Sequence, residues 1–257
     1  FHARIDLAVE ERFRDGSLSE AELREFVEQT LGPEGMARAV VVAATSDQSP
    51  LMRRRCAWAA MAVAEHFRDA GRHVLFLADS ITRFAEAHRE IALASGEAPS
   101  HRGFPPSTAQ MIMALAERSG PGPEGSGDIT AIFSVLVAGS DMEEPVADIL
   151  RGVLDGHVVL DRKIAERGRF PAVDVLRSVS RSLPHAATPA ENALIGRARA
   201  ALGAYAESEL MIRAGLYASG ADPKMDEDVR LYPGLDVFFT RKCPDARQSF
   251  RALAETL

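Results

Sequence analysis

The sequence predicts an α/β fold, with helices flanking a mostly parallel sheet, followed by an all-helical C-terminal domain. Short apolar runs without polar alternation indicate strands covered on both faces, as in parallel sheets. Helical patterns separate these runs, so that strand, helix and strand follow one another as in a βαβ unit. No strand pattern is evident after residue 180. We therefore expect an α/β domain over residues 1–184 and a helical domain over residues 185–257.

The first half of the chain carries two of the predicted strands. A helix that Gly32-Pro33 should end is followed by the apolar run Arg38–Ala44, predicted as a buried strand. Leu51–Ala70 has the pattern of a helix, and Val74–Ala78 that of a second strand covered on both faces. The helix should direct five residues towards the core: Ala57, Ala60, Met61, Ala64 and Phe67.

The strand Val74–Ala78 ends on a carboxylate, Asp79. In open α/β sheets ligands lie outside the carboxyl ends of the strands, and an acidic residue there can hold Mg²⁺ through water. The alternative is that Asp79 only caps the following helix, predicted from Ser80 to Ala94. The strand alone does not decide between the two roles.

The sequence after this helix predicts further loops, strands and a long helix. Gly- and Pro-rich loops are expected at residues 96–107 and 120–127, and strands at Asp128–Ala138 and His157–Leu160. Residues 171–181 are irregular or a short strand. Thr188, with Pro189 and an acidic first turn, indicates the start of a long helix.

Bulk properties exclude several classes of protein. The chain has 257 residues and a formal net charge of -7, which argues against a nucleic-acid binder that relies on overall charge. The two cysteines, Cys56 and Cys243, form no spacing motif and suggest a reducing compartment. No apolar run approaches the ~18 residues of a membrane span. A first residue other than Met leads us to expect a processed chain or a fragment.

Several ordered motifs resemble the flagellar and type III secretion ATPases, which are related to the rotary ATPase subunits. The stretch Val74–Arg83 and the helix after it look like their Walker B strand, and Gly103-Phe-Pro-Pro-Ser107 resembles their Gly-Tyr-Pro-Pro-Ser loop. Further matches are Asp155–Leu160, Phe170–Asp174, Ser178–Arg181, Gly215–Tyr217 and Asp222-Pro223. The resemblance implies a RecA-like core, a hexameric ring and ATP hydrolysis at subunit interfaces, coupled to protein unfolding and export.

The resemblance also implies roles for individual residues. Asp79 matches the Walker B aspartate that holds the water shell of Mg²⁺ at the phosphates of ATP. Arg83 matches an arginine near the phosphates, although an ion pair with a helix carboxylate is an equal alternative. Arg181 matches the arginine finger given to the neighbouring subunit's nucleotide, where a surface arginine is the alternative. Phe170 matches an aromatic, often Tyr, that stacks on adenine, where core packing is the alternative.

The same resemblance has implications for two further positions. Tyr217 is expected to close the other side of the adenine pocket. Asp141 follows the third strand, where the family has acidic and polar residues facing the γ-phosphate, while Ser140 departs from the more usual Asp.

The chain departs from the family at two functional elements. No Gly-x-x-x-x-Gly-Lys-[Ser/Thr] phosphate loop occurs in the sequence, and an ungapped count places Leu18 where the family has its catalytic glutamate. We therefore expect little ATP binding or hydrolysis by this chain alone.

Three functions stay open at this point. The first is an incomplete piece of a protein-export ATPase, and the second is a non-catalytic ring subunit that retains Arg181. The third is a RecA-type nucleic-acid motor, which the net acidity disfavours. For an export ATPase the resemblance implies stator and stalk proteins and chaperone–substrate complexes as partners, no nucleic acid, and a cytoplasmic location peripheral to the inner membrane and its export gate.

Overall fold

The computed structural model describes residues 20–140, 142–214, 217, 220 and 223–257. It divides the chain into two compact units, Phe1–Val153 and Leu154–Leu257. The first unit combines helices with a small sheet, and the second carries a two-stranded sheet followed by helices. This arrangement confirms the predicted α/β class with a helical C-terminal part. Among the described helices, none has both the length and the apolar character needed to span a membrane.

The helices of the first unit begin and end close to where the sequence predicts. They are α1 (Glu20–Met36), α2 (Pro50–Asp69), α3 (Ile81–Ala94), α4 (Ser107–Ala116) and α5 (Pro145–Val153). The predicted stop at Gly32-Pro33 appears as a kink inside α1, because Gly32 has a φ of 63° and leaves the helical conformation. Ser49 caps α2 by accepting a hydrogen bond from the Met52 amide.

Three strands form the sheet of the first unit. They are β1 (Val74–Ala78), β2 (Gly120–Pro121) and β3 (Asp128–Phe133), in the order β1-β3-β2. β1 and β3 are parallel, with Val74 opposite Ile129 and Ala78 opposite Phe133. β2 is antiparallel to β3, so the loop predicted at residues 120–127 begins with a short strand. β3 ends earlier than predicted, and a 3-10 turn follows at Ala138–Ser140.

The prediction of a strand at Arg38–Ala44 is wrong. Residues 39–45 have no regular secondary structure, and the side chains of Val40 and Val41 are exposed. A strand exists only through hydrogen bonds to a neighbouring strand, and this run has no such partner in the part of the chain that the structure describes. High β-propensity alone does not supply one.

The prediction that β1 is covered on both faces is also wrong. Phe76 is buried at 6%, but Leu75 and Leu77 on the opposite face are 47% and 46% exposed. Helix α2 packs on β1 and contributes Met61 and Ala64 to the core. Phe67, predicted to point into that core from α2, is 40% exposed because it lies near the end of the helix.

In the second unit, β4 (Gly156–Leu160) and β5 (Val173–Ser180) form an antiparallel pair. Residues 171–181 therefore contain a full eight-residue strand. The described helices are α6 (Arg162–Glu166), α7 (Pro189–Arg213), α8 (Pro223–Phe238) and α9 (Ala246–Thr256). The core of this unit consists of Ala198, Ala201, Leu202, Leu235 and Leu253.

Candidate nucleotide-binding site

Asp79 lies at the carboxyl end of β1, next to the carboxyl end of β3. The hydroxyl of Ser134, which directly follows β3, donates a hydrogen bond of 2.5 Å to Asp79 Oδ1. The backbone reinforces this contact, because the Ser134 amide donates to the Ala78 carbonyl and the Ile81 amide donates to the Ser134 carbonyl. The two strand ends therefore hold an exposed carboxylate in one orientation.

Asp79 does not cap α3. The cap is Ser80, whose Oγ accepts a hydrogen bond of 3.3 Å from the Arg83 amide. The alternative role considered for Asp79 thus belongs to its neighbour. Asp79 and Ser134 together offer hard oxygen atoms, which are the ligands that Mg²⁺ and its water shell prefer. Ser134 was not predicted as a site residue, although it is the first polar side chain after the apolar run Ala131-Ile-Phe133.

Helix α3 also fixes the chain that leaves β3. Thr82 is buried, and its Oγ1 accepts a hydrogen bond of 2.9 Å from the Leu136 amide. Further along, the Ala138 amide donates to Glu144 Oε2 at 3.1 Å.

Asp141, which the resemblance places towards the γ-phosphate, lies outside the described residues, as does Leu18. Of the residues described, no group of three or more His, Cys, Asp or Glu side chains is arranged to hold a metal ion.

Arg83 follows Asp79 by one helical turn and pairs with Glu86. The distance from Arg83 Nη1 to Glu86 Oε2 is 2.9 Å, and the Arg83 side chain is 58% exposed. This is the ion pair that the sequence interpretation gave as the alternative to a phosphate contact. An exposed pair of this kind contributes at most ~1 kcal/mol, so the guanidinium can exchange Glu86 for another anion at little cost.

A chain of hydrogen bonds supports the Gly103–Ser107 loop. The buried His88 on α3 contacts Arg54 of α2 through Nδ1 at 3.2 Å and Ser107 Oγ through Nε2 at 2.7 Å. Glu97 accepts both the Ser107 hydroxyl, at 2.6 Å, and the Ser107 amide, at 2.9 Å. Burial and the Arg54 charge lower the pKa of His88, and the bonds from Ser107 lower the pKa of Glu97. These partners are far apart in sequence, so local pattern could not predict them.

Phe170, in the second unit, is an exposed aromatic ring held on an anchored loop. Its side chain is among the exposed large hydrophobic groups, at 58%. The preceding Arg169 is fixed by the Val173 carbonyl at 2.9 Å, by Asp236 Oδ1 at 3.2 Å and by the ring of Phe239 at 5.2 Å. Exposure removes core packing as the explanation for Phe170.

Arg181 directly follows β5, and its backbone amide donates a hydrogen bond of 2.7 Å to the Asp155 carbonyl. The residue is exposed.

Tyr217, expected at the adenine pocket, donates its hydroxyl to Asp226, which also accepts the Gly220 amide at 2.7 Å. Asp79 and Arg83 therefore belong to the first unit, whereas Phe170, Arg181 and Tyr217 belong to the second.

Comparison with known proteins gives these residues a family context. Residues 17–180 match the family model of the ATP synthase alpha/beta family, nucleotide-binding domain, and residues 187–255 match that of the T3SS EscN ATPase C-terminal domain. The flagellum-specific ATP synthase of Caulobacter vibrioides is 48% identical over 244 residues, which cover 92% of this chain and 55% of that protein. This chain thus spans about half the length of the curated relatives it matches.

Solved structures show the same fold. The assembled ATPase EscN from the enteropathogenic E. coli type III secretion system matches with a TM-score of 0.86 and 35% identity, covering 93% of this chain and 58% of EscN. EscN in complex with its central stalk EscO matches with a TM-score of 0.80 and 35% identity, covering 94% of this chain and 58% of that one. The RecA-like fold predicted from the resemblance is confirmed. This chain belongs to the ATP synthase alpha/beta family, and it shares its sequence pattern and fold with the flagellar and type III secretion ATPases.

Proposed function

We propose that this chain is the Walker B and arginine-finger portion of an ATP-hydrolysing protein-export motor. The observation that carries the proposal is the placement of Asp79 at the end of a parallel strand, with its carboxylate fixed by Ser134 from the adjacent strand. The similarity to flagellar and type III secretion ATPases supports protein export as the work that hydrolysis drives.

The metal role belongs to Asp79 and Ser134. Their oxygens would hold the water shell of Mg²⁺, which neutralises charge on the β- and γ-phosphates of ATP when bound. Arg83 is placed one turn away on α3, where release from Glu86 would let it approach the phosphate end of the site.

The second unit would supply the adenine contact and the finger. Phe170 offers an exposed π-face that can stack on adenine without reading base edges. Its loop is held by Arg169, so the backbone that carries the ring is anchored. Arg181 would act on the nucleotide of the neighbouring subunit, where such a residue contributes about 10³–10⁵ in rate.

A finger that acts in trans requires a ring, and we propose a homo-hexamer. The assembled EscN structures support an oligomer, and the EscN–EscO complex supports a stalk partner. A stator, chaperone–substrate complexes and a cytoplasmic location at the inner membrane are proposed from the family alone. We also propose a domain boundary near Pro184. The limits of the two family models support it, whereas the compact units of the structure divide after Val153.

A non-catalytic ring subunit is the second candidate. It is favoured by Leu18, which lies at the register of the family's catalytic glutamate in an ungapped count. Both candidates use Arg181 in the same way. They differ in whether a phosphate loop upstream of residue 1 belongs to the same polypeptide.

Trans-complementation tests the role of Arg181 as an arginine finger, which both candidate functions share. The chain is mixed with a full-length flagellar relative whose own finger arginine is replaced by alanine, and ATP hydrolysis is measured. We expect the wild-type chain to restore hydrolysis and the Arg181→Ala chain to co-assemble without restoring it. The control is Arg162→Ala, which removes an exposed arginine of the same unit and should restore hydrolysis fully.

Light scattering on the same mixtures reports co-assembly. Failure of the wild-type chain to join the ring would refute a ring-subunit role. Co-assembly in which Arg181→Ala restores hydrolysis as well as the wild-type chain would refute the finger assignment. Calorimetry with Mg-ATP on the chain alone should show little or no binding heat, since the phosphate-loop motif is not in its sequence.

A further inference from the structure

The strand that leads to Arg181 contains a large bulge. Val159 of β4 pairs with Asp174 of β5, and His157 pairs with Val179. One residue of β4, Val158, therefore lies opposite the four residues 175–178 of β5. A bulge interrupts the ladder of backbone hydrogen bonds and redirects the strand that carries it. The direction in which Arg181 leaves the sheet thus depends on how this bulge is held.

The bulge carbonyls are bound by side chains. Arg199 of α7 donates from Nη1 to the Val175 carbonyl at 2.6 Å and to the Ser178 carbonyl at 3.3 Å, and from Nη2 to the Leu176 carbonyl at 3.0 Å. His157 Nε2 contacts the Arg177 carbonyl at 3.0 Å. A planar guanidinium can serve several acceptors at once, which a single ammonium group does less well.

The side chains of the bulge are fixed as well. Val175 and Leu176 pack against the helical core formed by Ala198, Ala201 and Leu202 of α7, with Leu235 and Leu253. At the far end of β5, Ser180 pairs with Gly156 and the Arg181 amide donates to Asp155. Helix α7 is therefore connected to Arg181 through one bulge, and a single residue of that helix, Arg199, binds three of the four bulge carbonyls.

We propose that Arg199 is a positioning residue for the arginine finger: it holds the bulge of β5 so that Arg181 leaves the sheet in one direction. This inference rests on the finger role proposed for Arg181. Movement of α7 is then transmitted to Arg181 through the Arg199 guanidinium. The helical C-terminal part sets the reach of the finger towards the neighbouring subunit.

Amide hydrogen exchange in the 257-residue chain tests the clamp without any nucleotide. The amides of Val179 and Arg181 report whether the end of β5 stays against β4 and Asp155. In Arg199→Met, which keeps the apolar stem and removes the donors, these amides should exchange at least about tenfold faster. Peptides from α8 and α9 should keep their wild-type rates. Arg199→Lys should recover part of the protection.

The matched control is Arg197→Met on the same helix. Arg197 is exposed and pairs with Glu227 on α8, so its loss should leave the amides of Val179 and Arg181 unchanged. Unchanged protection of these amides in folded Arg199→Met would overturn the proposal. A uniform rise in exchange across α7, α8 and α9 would overturn it too, since that would mark a general stabilising role. If Arg199→Met does not fold, Arg199→Lys decides by the same two criteria.

The trans-complementation assay separates this proposal from the proposed function. With Arg199→Met in the mixed ring, kcat should fall and KM for ATP should stay, in the same direction as with Arg181→Ala but by less. If Arg181→Ala leaves kcat unchanged while Arg199→Met speeds local exchange, the finger role fails and the clamp stands. If Arg181→Ala abolishes restoration and Arg199→Met changes neither exchange nor kcat, the clamp fails and the finger role stands.

Discussion

Replacing Arg118 by Met should destabilise the first unit by about 2 kcal/mol. Arg118 follows α4 and reaches Glu65 on α2 with two hydrogen bonds, from Nε at 2.8 Å and from Nη2 at 2.5 Å. Its guanidinium also lies 5.4 Å from the ring centroid of Trp58. The residue thus joins two helices that are far apart in sequence.

The magnitude follows from burial and geometry. Both side chains are 25% exposed, which places the pair between two limits. Exposed ion pairs contribute ~0–1 kcal/mol, and breaking a buried pair costs ~3–5 kcal/mol. A bidentate pair at intermediate burial should cost about 2 kcal/mol when one partner is removed, and this changes the unfolding equilibrium constant by about 30-fold.

Urea unfolding followed by tryptophan fluorescence measures this directly. Trp58 is the single tryptophan of the chain and lies beside the perturbed contact. A double-mutant cycle with Glu65→Gln isolates the pair from the rest of each side chain. The control is Arg24→Met, which removes an exposed pair with Glu28 on α1 and should cost ~0.5 kcal/mol or less.

The stabilisation by the Arg118–Glu65 pair should weaken as the pH falls. The hydrogen bonds from Arg118 lower the pKa of Glu65 below its ordinary value of 4.5. The stabilisation is therefore fully present at neutral pH and disappears as the pH falls below 4.5 and through the lowered pKa. Two results would refute this prediction. One is that Arg118→Met lowers the free energy of unfolding no more than Arg24→Met does, and the other is that it lowers it equally at pH 7 and pH 3.

Three further predictions concern stability. Burial lowers the pKa of His88, so the unfolding free energy should fall as the pH drops below 6.5, and His88→Gln should remove that dependence in urea titrations. Thr188→Ala should cost ~1 kcal/mol in urea unfolding, because the Thr188 hydroxyl caps α7. Gly127→Ala should cost at least about 2 kcal/mol in urea unfolding, because a Cβ there would lie 1.9 Å from the Arg72 carbonyl oxygen. Gly152→Ala meets open space within α5 and should be neutral or stabilising by up to about 1 kcal/mol in the same assay, because Ala favours a helix more than Gly does.

Local signals in the sequence predict the elements that depend on local chemistry. β1 has the predicted bounds, because a helix-ending turn precedes Val74 and a carboxylate follows Ala78. α3 and α7 begin where Ser80 and Thr188 can cap them. The placement of Asp79 at a parallel strand end follows from the same reasoning, since parallel strands direct their carboxyl ends to one edge.

Features that depend on residues distant in sequence could not be predicted from local sequence signals. The run at residues 39–45 has the composition of a strand, but composition does not provide the neighbouring strand it needs. Residues 171–181 fit either a short strand or irregular chain by sequence. The bulge of β5 is held by Arg199, which binds its carbonyls from 21 to 24 residues further along the chain. Ser134 was missed for a related reason, since its contact with Asp79 spans 55 residues of sequence.

Glu97 binds Ser107 through both carboxylate oxygens, so one side chain closes the ends of the loop between α3 and α4. The spacing of the two helices is therefore set at the base of the loop, and the length of its tip is free to change. Each doubling of the length of a flexible loop raises the entropic free-energy cost of closing it by only ~0.6 kcal/mol. The exposed tip at Ala98–Ser100 is accordingly a place where this chain can accept an inserted peptide, such as an epitope or a labelling tag, while α3 and α4 keep their positions.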